Sequence, residues 1–356
     1  MKLFSRNIVF FTFALLLSAC GTTLKTQQVT TEEMATEVAK QKEISLLDKY
    51  QLAHHVQNIG FQILTASVPM CGARVRSSLG VTYWSKDSFP ADFRDAAQTA
   101  FGVGEAVQLA RVAPNSPAAI AGLRVDDVLI KAGTHKVGTG KDGVAALTTY
   151  LDKNLTDAPM DIVYARGDNV QTATLTPKTA CDYPVLYDDD AAVNAYADGQ
   201  RIVMQRGIIE FVRNDDELAM IVGHELAHNV LNHISKKQAQ ITAGMLGGLL
   251  LDVLVGTGGQ FSDLGGQIGA QAYSPAYESE ADYMGLYATA RAGYNIQKAP
   301  FLWRRMGARN TRSIEMTSTH PPTAERFVVL EKTVTEIEAK IASGSPLIPD
   351  QKQGGE

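Results

Sequence analysis

The chain lacks a basic excess. Its 356 residues carry 33 Lys and Arg against 38 Asp and Glu, a formal charge of −5. A nucleic-acid binder needs a basic face to neutralise phosphates, so the balance argues against that class. Beyond the N-terminus no apolar run reaches the roughly 18 residues of a membrane span, which disfavours a polytopic membrane protein. No Gly-Lys-Ser/Thr follows a strand-like run, so the nine glycines between Ala243 and Ala272 do not form a phosphate loop. Cysteine is scarce, at three residues. What is present is ordinary: 45% hydrophobic and 20% charged residues exclude wholesale disorder. The length allows two domains and a short extra segment.

The N-terminus reads as an address. Lys2 and Arg6 precede an apolar run from Ile8 to Leu17, broken only by Thr12. That run is too short to span a bilayer and suits a signal-peptide core. Leu17-Ser18-Ala19-Cys20, followed by Gly21, resembles the bacterial lipoprotein box. The resemblance implies that residues 1–19 are removed and Cys20 is lipidated, which gives stable membrane anchoring. Removal takes two positive charges and no acid, lowering the formal charge from −5 to −7. Gly21 is not the aspartate that commonly retains lipoproteins in the inner membrane, so the resemblance implies the periplasmic face of the outer membrane. Thr22 to Thr31 reads as part of a flexible tether, residues 20–34. In an oxidising compartment Cys71 and Cys181 are an even pair, and a disulfide between them is expected.

Leu47, Tyr50, Ala53, Val56, Ile59 and Ile63 recur at three- and four-residue steps and predict helix over residues 35–66, stopped by Pro69. From Ser77 to Pro177 the texture changes to short β-like runs with Gly and Pro punctuation. Strands are expected at Leu79–Trp84, Val107–Val112, Val128–Lys131, Asp161–Ala165 and Thr172–Thr176, with helices near Ala91–Thr99 and Gly143–Lys153. After Val185 come strand-like Val193–Ala197 and Arg201–Gln205, then long helices, the last over Thr323–Ile341. The polar tail, residues 343–356, is expected to be mobile.

Ala113-Pro114-Asn115-Ser116-Pro117-Ala118-Ala119-Ile120-Ala121-Gly122-Leu123, then Asp127-Val128-Leu129-Ile130, closely resembles the bacterial PDZ signature. The resemblance implies a β-rich domain over residues 71–180. Its carboxylate loop would be Leu79-Gly80-Val81, whose backbone N–H groups receive a peptide's C-terminus. Whether such a groove binds peptide or gates access stays open. Asp126 departs from the glycine usual before the aspartate.

The segment Asn214 to His228 carries the most specific signal. Asn214 and Glu217 have capping-box spacing. His224 and His228, at i and i+4, share a helix face and can hold one zinc ion, with Glu225 beside them as general base. Leu218, Ile221, Val222 and Val230 make the helix apolar elsewhere, so it is expected to be buried. A chance His-Glu-x-x-His arises in on the order of 1% of chains of this composition. The metzincin pattern needs Gly and His where Leu231 and Ile234 stand, so that class is excluded. His233 lies roughly 140° around the helix from His228 and reads as a surface or helix-terminal histidine. Glu278, in Tyr277-Glu278-Ser279-Glu280-Ala281-Asp282, is the third-ligand candidate. Asp282, one turn on, is placed to orient a ligating histidine, and Glu280 points into solvent.

His-Glu-x-x-His followed by Glu-x-x-Ala-Asp resembles the HtpX / CAAX-prenyl-protease family of gluzincin metallopeptidases. Asn194-Ala195-Tyr196-Ala197 is similar to that family's Asn-Ala-Phe-Ala strand, implying an edge that pairs with extended substrate. Ser318-Thr319-His320-Pro321 with Arg326 is similar to its Ser-x-His-Pro-x-x-x-x-Arg element. The resemblance implies a catalytic His320 that stabilises the oxyanion or occupies the open metal position at rest. Arg326 pairs with a site carboxylate or with a surface acid. Asp198-Gly199-Gln200 stands where the family has Pro-Gly-Gly.

The expected architecture is α+β: a mostly helical zincin-type metallopeptidase domain with a small sheet, interrupted by the PDZ-like domain. Residues 35–70 supply its first helix and 181–342 the remainder. The expected activity is a membrane-anchored zinc endopeptidase of the bacterial envelope, with one zinc ion per chain and protein or peptide substrates. The rival reading is a PDZ-bearing adaptor or chaperone with a latched or vestigial zinc. The segment 241–255 is apolar but short, and reads as a buried helix or as a lid.

Overall fold

The structure is a computed structural model that describes residues 27–255, 274–309 and 324–351. Cys20, His320 and the glycines from Gly256 to Gly269 lie outside the described residues. The described residues form an α+β architecture.

Helix α1 (Thr31–Ala66) opens on a capping box. Thr30 accepts from the Glu33 N–H, and the Glu33 carboxylate takes the Thr30 N–H at 2.8 Å. The helix therefore begins inside the stretch expected to be tether. Ala53, Val56, Ile59 and Ile63 are buried, as the periodicity requires. Leu47 is the exception: it is 46% exposed, and Leu46 takes the buried place.

The next elements are β1 (Val75–Ser78), β2 (Val81–Trp84), α2 (Arg94–Phe101), β3 (Gln108–Val112), α3 (Pro117–Ile120), β4 (Val128–Ala132), β5 (His135–Lys136), α4 (Gly140–Asn154), β6 (Met160–Arg166), β7 (Asn169–Leu175) and β8 (Lys178–Cys181). Strands run in the order β2-β3-β4-β6-β7, with β5 on β4, and β2 is the edge. Leu79, Leu109, Leu129, Leu147, Ile162 and Leu175 fill a core of their own. The strand expected from Leu79 starts at Val81 instead. Gly80 has φ +73°, and a Cβ there would meet Ser116 Cβ at 2.3 Å, so only glycine fits this turn. Asp126 adopts φ +70°, the region that glycine favours and aspartate tolerates, so the departure noted above keeps its turn.

This block joins the rest through a neck. β1 pairs antiparallel with β8, from Val75 opposite Cys181 to Ser78 opposite Lys178. The expected disulfide links Cys71 and Cys181, 110 residues apart, with Cα atoms 5.7 Å apart. In the chain-entropy model such a closure contributes about 4–5 kcal/mol. An aromatic cluster of Tyr50, Trp84, Phe89 and Phe101 also fastens the block to α1.

A three-stranded sheet follows: β9 (Val185–Asp188), β10 (Ala195–Ala197) and β11 (Ile202–Gln205), in the order β10-β11-β9. β10 is antiparallel to β11, while β9, unforeseen in the sequence, is parallel to it. Then come α5 (Arg206–Phe211), α6 (Asp215–Val230), α7 (His233–Val255), α8 (Pro275–Arg291), α9 (Ala299–Arg309) and α10 (Ala324–Ser343). Val56 and Ile63 of α1, Ile202 and Met204 of β11, Leu218 and Ile221 of α6, Leu286 of α8 and Leu330 of α10 share one core.

Two expectations need correction. The tail expected to be mobile is hydrogen-bonded to the body of the fold as far as Asp350. Arg291 Nη1 donates to Leu347 O at 3.0 Å, Asp350 N donates to the Tyr283 hydroxyl at 3.1 Å, and Lys340 pairs with Asp350 at 2.8 Å. The buried-helix reading of 241–255 also fails where side chains are described: Met245 and Leu246 are exposed. No described helix is long and apolar enough to cross a membrane.

Candidate metal centre

Helix α6 starts where Asn214 accepts the Glu217 N–H at 3.1 Å. The capping box is not reciprocal. The Glu217 carboxylate takes the Arg213 N–H and a two-pronged contact from Arg305, at 2.9 and 2.6 Å. From Glu217 to Asn229 every residue of α6 is buried. Helix α8 starts on Pro275, with Ser274 capping the Tyr277 N–H.

The two helices meet at a pair of glycines. A Cβ on Gly223 would lie 2.7 Å from Gly285 O, and one on Gly285 would lie 2.8 Å from His224 N. Only glycine at both positions permits this approach, and it sets Glu278 against the histidines. No apolar periodicity flags these glycines in the sequence; the signal was Gly223 directly before His224.

The structure brings His224, His228 and Glu278 together, all buried, with one ligand atom from each within 4.8 Å of the others. His224 Nε2 and His228 Nε2 are 3.1 Å apart. Glu278 reaches them at 3.5 and 3.4 Å. Four-coordinate zinc with ligands at about 2.0–2.1 Å spaces its ligand atoms about 3.3 Å apart, so the donor set fits that ion.

The supports decide the tautomers. His224 Nδ1 lies 3.0 Å from Asp282 Oδ1, so it carries the proton and Nε2 faces the site. Arg326 grips Asp282 with Nε and Nη2 at 2.7 and 2.8 Å and reaches Glu278 with Nη1 at 2.9 Å. Of the two partners left open for Arg326, the structure selects the site carboxylates. Burial works against a charged His224, but Asp282 and Glu278 outweigh it and push its pKa up to about 9. Burial likewise opposes ionised Asp282, yet Arg326 holds it below the usual carboxylate range. Burial pulls the Arg326 pKa down, while Asp282, Glu278 and Glu225 raise it above the ordinary value.

His233 corrects the sequence reading. It is fully buried, with Nδ1 3.0 Å from His228 Nδ1 and Nε2 3.2 Å from Glu280 Oε2. Its ring stacks on Tyr277 at 4.5 Å. The helix breaks at Asn232, φ +56°, and His233 opens α7 with its ring against His228. Glu280 is 46% exposed at its side chain but is tied to His233 rather than free in solvent.

β10 carries Ala195, Tyr196 and Ala197 on an edge that packs against α6, with Asn194 before it. The turn after it is an Asp turn. Asp198 Oδ1 takes the N–H groups of Gln200 and Arg201 at 2.9 and 2.8 Å, and Gly199 has φ +91°. Asn229, next to His228, fastens it by accepting from Gly199 N and donating to Arg201 O, at 2.8 and 3.0 Å. Leu79, Gly80 and Val81 lie apart, in the six-stranded block. There the Gly80 N–H already donates to Ser78 Oγ at 3.2 Å.

A buried His-His-Glu centre with a glutamate following the first histidine is the site of a metallopeptidase. Residues 168–334, which contain it, match the model of peptidase family M48. Among relatives, mitochondrial metalloendopeptidase OMA1 of Schizosaccharomyces pombe is 30% identical over 156 residues, covering 42% of this chain and 46% of that one. The beta-barrel assembly-enhancing protease of Yersinia pestis is 27% identical over 144 residues, covering 36% of this chain and 30% of that one. The chain thus spans less than half the length of these relatives. A crystal structure of the HtrA3 PDZ domain overlaps 30% of this chain and 88% of that domain, with a TM-score of 0.22 and 18% identity.

Proposed function

We propose that the chain is a zinc endopeptidase of the bacterial cell envelope. The observation that carries this reading is the convergence of His224, His228 and Glu278 beside the buried Glu225. Zinc held by those three residues supplies Lewis acidity toward an attacking water and the scissile carbonyl. Glu225 takes the water's proton and passes it to the leaving amine. Asp282 holds the His224 ring, and Arg326 keeps Asp282 ionised and holds Glu278 in place. His320, from outside the described residues, is assigned the oxyanion or a resting latch. Substrate lies extended along Asn194–Ala197, whose place at the edge of its sheet among the described residues, beside α6, supports strand pairing.

Within the same proposal, residues 71–180 form a PDZ-like insert, Cys20 is a lipid anchor, and the periplasmic face of the outer membrane is the location. The substrates are misfolded or stalled envelope proteins. The relatives named beta-barrel assembly-enhancing proteases favour this setting. The finer likeness to the HtpX and CAAX prenyl protease branch rests on the Asn194–Ala197 strand and on Arg326.

The test is casein cleavage by lipid-free protein from Cys20 onward, beside Glu225→Gln, with zinc measured on both. One zinc per chain in each, with cleavage by the parent alone, is the expected result. Zinc in both with cleavage in neither shifts the reading to an adaptor or a latched enzyme.

A further inference from the structure

The six-stranded block meets α1 across a cavity of about 190 Å³. Its wall includes Gln57 and Phe61 of α1, Arg76 and Ser78 of β1, Thr82 of β2, and Arg111 of β3; no acid lines it. Arg111 is 8% exposed. Its Nη1 donates to Asn58 Oδ1 at 3.1 Å, while its buried Nε has no acceptor among the described residues. Burial lowers its pKa to about 10, so it stays charged at neutral pH. A buried guanidinium without a counter-charge opposes folding, and an apolar side chain of similar size would fill the place better. The second cation, Arg76, is held loosely by Asp182 at 3.8 Å. The space is several times the roughly 30 Å³ share of one water.

The position of the cavity says what enters it. β2 is the edge strand of its sheet, and Thr82 stands opposite Arg111 in register. Leu79, Tyr83, Leu151 and Leu155 line an open groove of about 840 Å³ beside β2, together with Thr148, Asp152, Asp157 and Asp182. An extended chain paired along β2 sends alternate side chains to the two faces, one row into this groove against Leu79, Tyr83 and Leu151 and the next toward Arg111.

We propose that the Arg111 cavity is a carboxylate subsite that reads an Asp or Glu side chain of an extended peptide paired along β2. The peptide source rests on the reading of the insert as a peptide-binding module; the uncompensated charge does not.

The test selects displayed random decapeptides on the full chain carrying Glu225→Gln, and again with Arg111→Gln added. The expected result is peptides with an apolar anchor and an acid at a fixed odd spacing from it, the acid preference vanishing with Arg111→Gln. A selected peptide should lose about tenfold in affinity when its acid becomes the amide, and only on the chain with Arg111 intact. Apolar anchors without an acid preference, or a preference that survives Arg111→Gln, overturn the proposal while leaving the groove reading standing. A second arm compares thermal midpoints in sodium acetate and sodium chloride at equal ionic strength. A rise with acetate that needs Arg111 supports the subsite. If it comes without acidic peptides, a free carboxylate is the occupant and the peptide assignment falls. No selected peptides and no acetate effect overturn both readings. Arg111→Gln itself should melt at or above the parent midpoint; a large fall would make Arg111 a structural strut and end the proposal.

Discussion

His224 leans on a closed ionic arm, and His228 on an open one. Behind His224 stand Asp282 and Arg326, both at most 2% exposed at the side chain. Behind His228 stand His233, buried, and Glu280, half in solvent. Both arms protonate Nδ1 and turn Nε2 to the metal. They differ in what breaking them leaves behind. Loss of a member of the first arm strands a charge in the interior; loss of a member of the second strands a neutral ring or nothing. The first arm therefore serves folding and metal binding together, while the second tunes the metal with little stake in the fold.

The largest separation of the two comes from Arg326→Met. Glu278 and Asp282 then lie buried with no guanidinium between them, a loss of about 3–5 kcal/mol. Urea unfolding of the metal-free chain measures it, and a midpoint close to the parent's would mean that the first arm is no strut. Next is Gly285→Ala, whose new methyl meets His224 N. A cost of about 1–3 kcal/mol in unfolding, with weaker zinc binding, is expected. An unchanged zinc affinity would show that the helix approach does not set the site.

Zinc affinity alone distinguishes the arms more finely. Asp282→Asn and His233→Phe should each weaken zinc by about 10–100-fold, Asp282→Asn nearer the top of that range and Glu280→Gln by less than either. Competition with a chromogenic chelator reads all three; equal losses would erase the proposed asymmetry. The smallest effect is at the start of α6. Burial raises the Glu217 pKa, but Arg305 and the Arg213 N–H outweigh it and hold it below the ordinary value. Its contribution is therefore present above the unfolded value of about 4.3 and is lost as pH falls through the folded one. Glu217→Gln should flatten the acid limb of stability against pH, and an identical limb would remove Glu217 from acid unfolding.

The Asp282 part of the first arm was legible in sequence because helical spacing is local, while the partner of Arg326 was left open. His224 and His228 at i, i+4 and Glu278 and Asp282 at i, i+4 each define a face. The second arm was not. Its placement of His233 assumed one unbroken helix, whereas Asn232 in the left-handed region separates α6 from a new helix that starts at His233. Leu231-Asn232 was the available signal, since asparagine readily takes that conformation at a helix end. The same limit hid β8, whose partner β1 lies about a hundred residues back along the chain, and the contacts of the tail. Leu347 and Ile348 are two apolar residues between prolines, and Leu347 alone of them packs, partly buried, against the core.

The most direct check of the central claim is a zinc-edge anomalous difference map from crystals of the zinc-saturated full chain. The expected result is one peak per chain, bounded by His224 Nε2, His228 Nε2 and a Glu278 oxygen. No peak there, or a peak held by other residues, would contradict the assignment of this site as the metal centre of a peptidase.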